Sequence, residues 1–285
     1  MKLDNKKKIL IVGLGLMGGS YALSLSKQGF EVGAVTLERS SVDYALAHGI
    51  IAHGTTEVSA EYIAQFDIVV FALYPKHFIE WIKSYQHLLK EGAILTDVTG
   101  VKGEIVYAVQ GMLRDDLEFI GAHPMAGREV SGVENATDEM FRGANYIVTP
   151  TEQNTESAIL LCEELGRTLG FARISRLSPS EHDEMIGFLS QLTHCIAVSL
   201  MSCKDSERLV DYTGDSFRDL TRIARINEEM WSELFLMNKQ TLLREIDGFA
   251  AQLMRLRESL AAEDAEALKQ MMRLSTERRR LFDKK

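Results

Sequence analysis

A histidine and two arginines have the types and spacing that acid–base chemistry and carboxylate binding would need. His123 lies in a glycine-punctuated segment, residues 119–127, that follows a short apolar run, and we predict a loop there. An imidazole in such a loop can accept a proton near neutral pH, although a lone histidine is often structural. Arg218 and Arg222 are four residues apart, so they share a face if the segment is helical. A guanidinium binds a carboxylate bidentately, so this pair is suited to an anionic ligand.

Three further residues are candidates for the same site. Ser190 and His194 place a hydroxyl and an imidazole four residues apart on one predicted helical face, and Trp231 follows the arginines. The alternative for Ser190 and His194 is a satisfied hydrogen bond between helices, and for Arg222 it is a surface ion pair with an acidic neighbour. His182 is interpreted as structural, or as a helper close to His194.

A glycine loop near the start of the chain predicts a dinucleotide site. Gly13, Gly15 and Gly18 follow an apolar run at residues 9–12 and precede a helical pattern at 19–28. The first glycine allows a tight turn, the second lets the backbone approach a pyrophosphate, and the third permits close packing of helix and strand. Leu16 and Met17, between these glycines, are assigned to the same site. The alternative is a glycine-rich turn in an unrelated α/β domain.

The residues that follow the second predicted strand bear on which cofactor binds. An acidic residue that would hold the adenosine ribose is expected about 20 residues after the glycine loop, where Thr36 stands. Arg39 and Ser40 could bind a 2′-phosphate, whereas Glu38 could rescue NAD binding if the turn folds back. We therefore predict NAD(P) with a preference for NADP. The remaining residues assigned to the cofactor end the apolar run 67–73 and begin the next helix: Leu73, Tyr74 and Pro75.

The elements that must position these residues follow from the hydrophobic pattern. Short β-branched runs alternate with helical segments, and we predict strands at 9–12, 31–35, 67–73, 93–96, 118–120, 146–149 and 171–174. This alternation predicts an α/β fold with a doubly wound, Rossmann-like parallel sheet. From Ser178, which with Pro179 and Glu181 forms a helix start, the chain reads as helical. We predict a dinucleotide-binding domain at 1–177 and an all-α substrate-binding and dimerisation domain at 178–285.

One predicted helix in the second half carries a heptad seam. Its apolar residues step by four and three: Leu242, Ile246, Phe249, Leu253, Leu256 and Leu260. Such a seam serves an intrachain bundle or a subunit interface, and we expect a mixture of both and thus a homodimer.

Composition restricts the classes of partner that the chain is expected to bind. The 285 residues are 46% apolar and 26% charged, with a formal net charge of −9, which is ordinary globular composition. A net acidic chain has no field to attract nucleic acid or anionic lipid. The three cysteines lack disulfide or zinc spacing, and no metal site is predicted. The apolar run behind the basic N-terminus is too short to span a membrane, so we expect a cytoplasmic protein that acts on a small molecule.

Six motifs taken together carry a resemblance to a known family. They are the glycine loop at 13–18, DVTGVK at 97–102, HPMAG at 123–127, FRGA at 141–144, SQLTH at 190–194 and FRDLTRIA at 217–224. In this order they closely resemble the prephenate dehydrogenases, of the single-function kind without a fused mutase or regulatory domain. The resemblance runs over almost the whole chain.

The resemblance implies an activity and residue roles. The activity is oxidative decarboxylation of prephenate to 4-hydroxyphenylpyruvate and CO2 in tyrosine biosynthesis. By this resemblance His123 takes the proton of the substrate hydroxyl, with a pKa expected near the unperturbed ~6.5, and Arg222 binds a carboxylate. Ser190 and His194 complete the catalytic set. The residues assigned to substrate binding are Thr99, Arg128, Glu129, Arg218, Asp219 and Trp231.

Two residues depart from the family pattern. Gly100 stands where the family commonly has a serine beside the catalytic histidine, and Thr99 is the candidate replacement hydroxyl. Arg128 stands where a small serine or threonine is usual. We expect this added cation to contact the substrate's pyruvyl carboxylate or to compete for Glu129.

Three other functions are weighed against this one. An arogenate dehydrogenase is the near rival, but Arg128 would repel the ammonium of arogenate. A β-hydroxyacid dehydrogenase would use a lysine on the first long C-terminal helix, and residues 184–202 contain none. A non-catalytic, dinucleotide-sensing dimer would explain the glycine loop and the seam, but not His123 and Arg222 in their motifs.

Overall fold

The structure is a computed structural model that describes residues 3–205 and 207–282. The outer ends of the two predicted domains, residues 1 and 285, lie outside the described residues.

One sheet organises the first part of the chain. Among the described residues its strands are β1 (Lys8–Val12), β2 (Glu31–Val35), β3 (His53–Thr55), β4 (Ile68–Phe71), β5 (Ile94–Asp97), β6 (Glu118–Met125), β7 (Asn145–Thr149) and β8 (Arg173–Arg176). Their order is β3-β2-β1-β4-β5-β6-β7-β8. The order reverses between β1 and β4, and ligands of doubly wound sheets bind at the carboxyl ends of the strands at such a point.

The central strands form because their side chains are apolar on both faces. Every residue from 9 to 12 in β1 and from 68 to 71 in β4 is at most 2% exposed. A parallel strand covered by helices on both sides reads as such a continuous apolar run. The predicted Rossmann-like fold is confirmed.

Three details of the predicted sheet were wrong. The strand β3 was missed, because its three residues contain no apolar run. The predicted loop at 119–127 is largely strand, so His123 lies on β6 and pairs with Ile147 of β7. The β6–β7 pairing is antiparallel, so the sheet is not wholly parallel. A chain that returns antiparallel needs no helical crossover, which is why strand–helix alternation did not reveal it.

Among the described residues, helices connect most strands of the sheet and predominate after it. They are α1 (Leu16–Lys27), α2 (Arg39–Ala47), α3 (Ala60–Ile63), α4 (Pro75–Tyr85), α5 (Gly103–Gln110), α6 (Glu156–Leu169), α7 (Pro179–Ile186), α8 (Thr193–Ser202), α9 (Asp215–Thr221), α10 (Glu228–Met237), α11 (Lys239–Ala261) and α12 (Ala265–Arg279). The predicted start of α7 is confirmed: the Ser178 hydroxyl accepts from the amide of Glu181, whose carboxylate accepts from the amide of Ser178.

By length and composition one helical stretch, Pro179–Ser202, could cross a membrane. It comprises α7, a π-helical segment at Gly187–Leu192 and α8. A helix of a globular protein can have the same composition, and α7 makes polar contacts with β6 through His182 and with the start of α5 through Asp183.

The described chain divides into two compact units, one ending at Asn238 and the other starting at Lys239. The first contains the sheet and α1–α10. The second contains α11 and α12. Of the predicted seam on α11, Leu242 is buried and Ile246 half-buried, whereas four residues are exposed: Phe249, Leu253, Leu256 and Leu260.

Candidate active site

The glycine loop joins β1 to α1 at the carboxyl edge of the sheet. Gly13 has a φ of +97°, and a Cβ there would lie 2.5 Å from the carbonyl oxygen of Ala72. A Cβ on Gly18 would overlap the carbonyl oxygen of Gly13. A Cβ on Gly15 would meet no atom within 4 Å. Two glycines are thus required by backbone conformation and packing, while Gly15 leaves its surface open to a ligand.

The start of α1 is suited to a pyrophosphate. Gly15 is the residue before the helix, no side chain caps its first turn, and no acidic residue lies there. Leu16 and Met17 occupy that turn and are half-buried. The open amides and the helix dipole attract an anion, so the residues present fit a dinucleotide.

These two kinds of glycine give a testable contrast. We expect Gly15→Ala to fold normally but to weaken dinucleotide binding at least about tenfold, since its methyl would occupy the ligand's approach. We expect Gly18→Ala to cost about 1–3 kcal/mol of unfolding free energy, because its methyl overlaps backbone. Fluorescence titration with the reduced cofactor and urea unfolding measure the two effects. Equal stability losses in both variants would contradict the assignment.

The end of β2 holds the residues that would face an adenosine ribose. Thr36 is half-buried, and the side chain of Arg39 is 70% exposed at the start of α2, next to exposed Ser40. The carboxylate of Glu38 accepts a hydrogen bond from the hydroxyl of Ser41, 3.3 Å away. Glu38 is therefore engaged with its own helix, and the exposed Arg39 pairs through Nε with Oδ1 of Asp43, 2.9 Å away and one turn further along α2.

The segment after β4 connects the cofactor edge to α10. Three residues assigned to the cofactor lie in it: Leu73, Tyr74 and Pro75. The Tyr74 hydroxyl accepts from Nδ2 of Asn227 at 3.1 Å. The buried carboxylate of Glu233 accepts from the amide of Lys76 at 2.5 Å, within the first turn of α4. An acidic group at a helix N-terminus is stabilising, and here it fastens α10 to that helix.

A buried charged network lies where β5 ends. Nζ of Lys102 is 2.6 Å from Oδ2 of Asp97, and both side chains are fully buried. Oδ1 of Asp97 accepts from the amide of Ala122 at 3.0 Å. The backbone pairing of β5 with β6 ends at Ile120, so beyond it the carboxylate of Asp97 binds the β6 amide that immediately precedes His123. Asp97 thus helps to position the part of β6 that carries the histidine.

His123 is half-buried and is the first member of a chain of three side chains. Its Nδ1 lies 2.8 Å from Nε2 of His182, and Nδ1 of His182 lies 2.7 Å from Oδ1 of Asp183. Burial lowers the pKa of His123 well below 6.5, and the neighbouring His182 and Lys102 lower it further. The expected pKa near 6.5 was therefore wrong, because the sequence did not reveal this burial or these neighbours.

The surroundings of Nε2 of His123 bear on the Gly100 departure. A Cβ at Gly100 would lie 3.9 Å from this nitrogen and 3.4 Å from Leu234 of α10, which is ordinary contact. The space beside Nε2 therefore matches the position expected for the family's serine. The Thr99 hydroxyl does not replace it: Thr99 is buried and bonds Asp97, the carbonyl of Val101 and Lys102. The assignment of Thr99 to the substrate was wrong for this reason.

The π-helical segment carries Ser190, and His194 follows in α8. Nδ1 of His194 lies 2.8 Å from the carbonyl oxygen of Ser190, and its ring lies against Trp231 with centroids 3.7 Å apart. Nδ1 therefore carries the proton, and Nε2 of His194 is an acceptor. π-Helical turns occur often at functional sites, and this one supports the grouping of Ser190, His194 and Trp231.

Arg222 forms an ion pair with Glu129. Both act electrostatically on His194: Glu129 raises its pKa and Arg222 lowers it, although burial is the larger effect and leaves the pKa below its usual value. Arg222, Glu129 and His194 are therefore neighbours. The guanidinium is 64% exposed and can turn to another carboxylate.

Other predicted substrate residues are not brought into this group. Arg218 pairs with Asp215 at 3.2 Å and donates to the carbonyl of Thr213. Arg218 is in α9, whereas the 3₁₀ turn that follows carries Arg222, so the two arginines do not share one continuous helix. Asp219 and Arg128 are exposed.

Two site residues were underestimated from the sequence. His182 bonds His123, so it contacts the predicted base directly. Asp183 was not considered at all. The available signal was the His–Asp pair itself, one turn inside a well-capped helix.

The carboxyl edge of the sheet thus combines a loop that fits a dinucleotide with a histidine that can accept a proton. This combination is that of a nicotinamide-dependent dehydrogenase. The family model for the nucleotide-binding domain of prephenate dehydrogenase matches residues 21–172, and the one for its dimerization domain matches residues 178–274. The chain belongs to the prephenate dehydrogenase family and is an oxidoreductase.

Comparison with individual relatives supports membership of this family. The chain is 33% identical to a prephenate dehydrogenase of Lactococcus lactis, over 92% of this chain and 73% of that protein. It is 30% identical to a prephenate dehydrogenase of Bacillus subtilis, over 92% of this chain and 72% of that protein. A crystal structure of prephenate dehydrogenase from A. aeolicus, in complex with hydroxyphenyl propionate and NAD+, superposes with a TM-score of 0.89 at 33% identity, covering 97% of this chain and 98% of that one.

Proposed function

We propose that the protein catalyses the NAD(P)-dependent oxidative decarboxylation of prephenate to 4-hydroxyphenylpyruvate and CO2. The observation that carries the proposal is His123, a neutral, half-buried imidazole beside the dinucleotide edge, with its Nδ1 engaged by His182. This leaves Nε2 to accept a proton from a substrate hydroxyl. A bound nicotinamide supplies the hydride acceptor.

The protein's own part in the reaction is binding, orientation and one proton transfer. Loss of the ring carboxylate as CO2 makes the ring aromatic, which drives the reaction, so no covalent catalysis is needed. Nε2 of His123 receives the hydroxyl proton, and Arg222 binds a substrate carboxylate. His194 and Trp231 form one wall beside Arg222. Arg128 is exposed in the segment that follows β6 and is the candidate to bind a second carboxylate, where it would disfavour the ammonium of arogenate.

Reduction of the cofactor tests the function directly. We expect turnover with prephenate well above that with arogenate or with a simple β-hydroxyacid, followed by absorbance of the reduced nicotinamide. No turnover with any of the three would favour a dinucleotide-sensing role instead.

The preference for NADP remains part of the proposal. It is supported by the uncharged Thr36, by the exposed Arg39 and Ser40, and by the engagement of Glu38 with Ser41. Steady-state kinetics with each cofactor test it, and a large preference for NAD would contradict it.

Arg222→Ala should raise KM. Loss of a charged hydrogen bond costs about 1.5–3 kcal/mol, which is roughly a 10- to 150-fold change in kcat/KM. Arg225, another exposed arginine three residues further along, provides the matched control, and Arg225→Ala should have little effect. If Arg222 only serves its ion pair with Glu129, then Glu129→Gln would reproduce the defect in full, and the substrate role would be excluded.

The rate should depend on pH in a way set by His123. The base must be neutral to accept a proton, and its pKa lies below 6.5, so kcat/KM should stay flat from pH 8 down to 6.5. It should fall only at lower pH, as His123 becomes protonated. An acid limb centred at or above 6.5 would contradict this, and loss of the limb in His123→Asn would assign it.

We further propose a cytoplasmic homodimer with a functional boundary after residue 177. The dimer is supported by the exposed seam on α11 and by the dimerization-domain match at 178–274. The boundary is supported by the two matched regions, which meet between residues 172 and 178.

A further inference from the structure

We propose that His182 and Asp183 are positioning residues that fix the tautomer and orientation of His123, so that its Nε2 is the bare, proton-accepting nitrogen. The inference deepens the proposed function and rests on it for its kinetic consequences. It begins from the hydrogen-bond chain His123–His182–Asp183, in which each contact is 2.7–2.8 Å long.

Asp183 is the fixed end of this chain. Its Oδ1 accepts from the amide of Lys102 at 2.8 Å, and its Oδ2 accepts from the amide of Gly103 at 2.7 Å. The carboxylate therefore sits on the first turn of α5, where the helix dipole also favours it. A Cβ at Gly103 would lie 2.9 Å from Oδ2, so glycine at this position permits the close approach. Asp183 is 7% exposed and has little freedom to move.

This fixed acceptor determines the proton positions along the chain. Oδ1 of Asp183 also faces Nδ1 of His182, so that nitrogen must carry a proton. His182 is completely buried, and burial lowers its pKa although Asp183 raises it, so the ring is neutral and its Nε2 is an acceptor. Nδ1 of His123 must then donate, which leaves Nε2 of His123 without a proton.

The reverse arrangement is disfavoured. For His123 to carry its proton on Nε2, the nitrogen Nε2 of His182 would have to donate. A neutral His182 would then turn a lone pair toward the carboxylate of Asp183, and a cationic one would place a charge at a fully buried position. Two further charged groups, Lys102 and Asp97, act on these rings, and the carboxylate of Asp97 already accepts from Lys102 and from the amide of Ala122.

The chain also stabilises the product of proton transfer. When Nε2 of His123 takes the hydroxyl proton, the ring becomes cationic and its Nδ1–H donates more strongly to His182. His182 in turn donates to Asp183, so the new charge is connected to a carboxylate through one neutral ring. The same logic governs the acid that orients the histidine in serine hydrolases, where a wrong tautomer abolishes most of the rate.

The first test reads the tautomer without using activity. ¹⁵N NMR of the intact protein with labelled histidine should show Nδ1 of His123 protonated and Nε2 bare at neutral pH, with His123→Asn identifying the signals. His182→Leu should turn this single tautomer into a mixture. A wild-type His123 that carries its proton on Nε2 would overturn the inference, whether or not prephenate is the substrate.

The second test separates positioning from stability. His182→Leu should lower kcat about 10- to 100-fold with KM little changed, because the base is present but misdirected. His182→Gln should recover most of this loss, since its amide oxygen can accept from Nδ1 of His123, whereas His182→Asn, whose amide reaches only the Asp183 side, should not. His53→Asn, a half-buried histidine on β3 bonded to Tyr62 and Glu31, is the control. If the Gln and Asn variants lose kcat equally, in proportion to their losses of unfolding free energy, the inference is overturned.

Discussion

Replacing His123 with asparagine should lower kcat by about 10²–10⁴-fold while KM changes little. Asparagine can keep a hydrogen bond to His182 through its side-chain amide, but it has no basic nitrogen where Nε2 stands. The substrate would still be bound by Arg222 and the cofactor by the glycine loop. The loss therefore falls on the chemical step, and steady-state kinetics with saturating cofactor measure it.

Gly100→Ser is a companion variant that adds a side chain beside the same nitrogen. A side chain fits at Gly100, where its Cβ would lie 3.9 Å from Nε2 of His123, and its backbone is not in the left-handed region. Gly100→Ser should therefore fold, keep turnover within the same order of magnitude and place a hydroxyl beside the base. Near-normal kcat in His123→Asn would exclude His123 as the base.

Lys102→Met should be strongly destabilising, with a loss of about 3–5 kcal/mol in the free energy of unfolding. The ion pair of Lys102 with Asp97 is fully buried, so removal of the ammonium leaves a buried carboxylate without its counter-ion. Asp97 also holds the amide of Ala122, next to His123, so activity should fall together with stability. Urea unfolding followed by circular dichroism measures the loss.

Two companion variants show whether burial is the cause. Lys27→Met removes a partly exposed pair with Asp138, of similar length at 2.7 Å, and should cost no more than about 1 kcal/mol. The double variant Asp97→Asn/Lys102→Met removes both charges and should be more stable than Lys102→Met alone. A loss in Lys102→Met as small as that in Lys27→Met would contradict the buried-charge explanation.

The parts of the fold that the sequence predicted are those set by local patterns. Helix α6, Glu156–Leu169, is such an element, because its apolar spacing is regular and Thr155 caps it. The capping box before α7 is likewise local. The extension of β6 beyond Ile120 was not predictable, because it depends on pairing with β7, about twenty residues further along, and on the carboxylate of Asp97.

The residues of the site divide in the same way, into those that local motifs reveal and those that only tertiary contacts define. The glycine loop and His123 were found because each has a motif whose residue types carry the chemistry. The roles of His182, Asp183 and Lys102 depend on side chains from three different elements that meet only in the folded chain, up to 81 residues apart. The lowered pKa of His123 has the same origin, since burial and neighbouring charges are tertiary properties. Thr99 was misassigned because no sequence pattern showed that its hydroxyl is enclosed.

The contact between Asp183 and the start of α5 has a consequence for anyone who recombines this protein with its relatives. A natural crossover point for a chimera would be the junction near residue 177, between the two matched regions. Such a cut separates the histidine on β6 from the helix that supplies both of its partners. A chimera would therefore inherit a base from one parent and its alignment from the other. Moving the crossover past α7, to the π-helical segment, would keep the three side chains in one inherited piece.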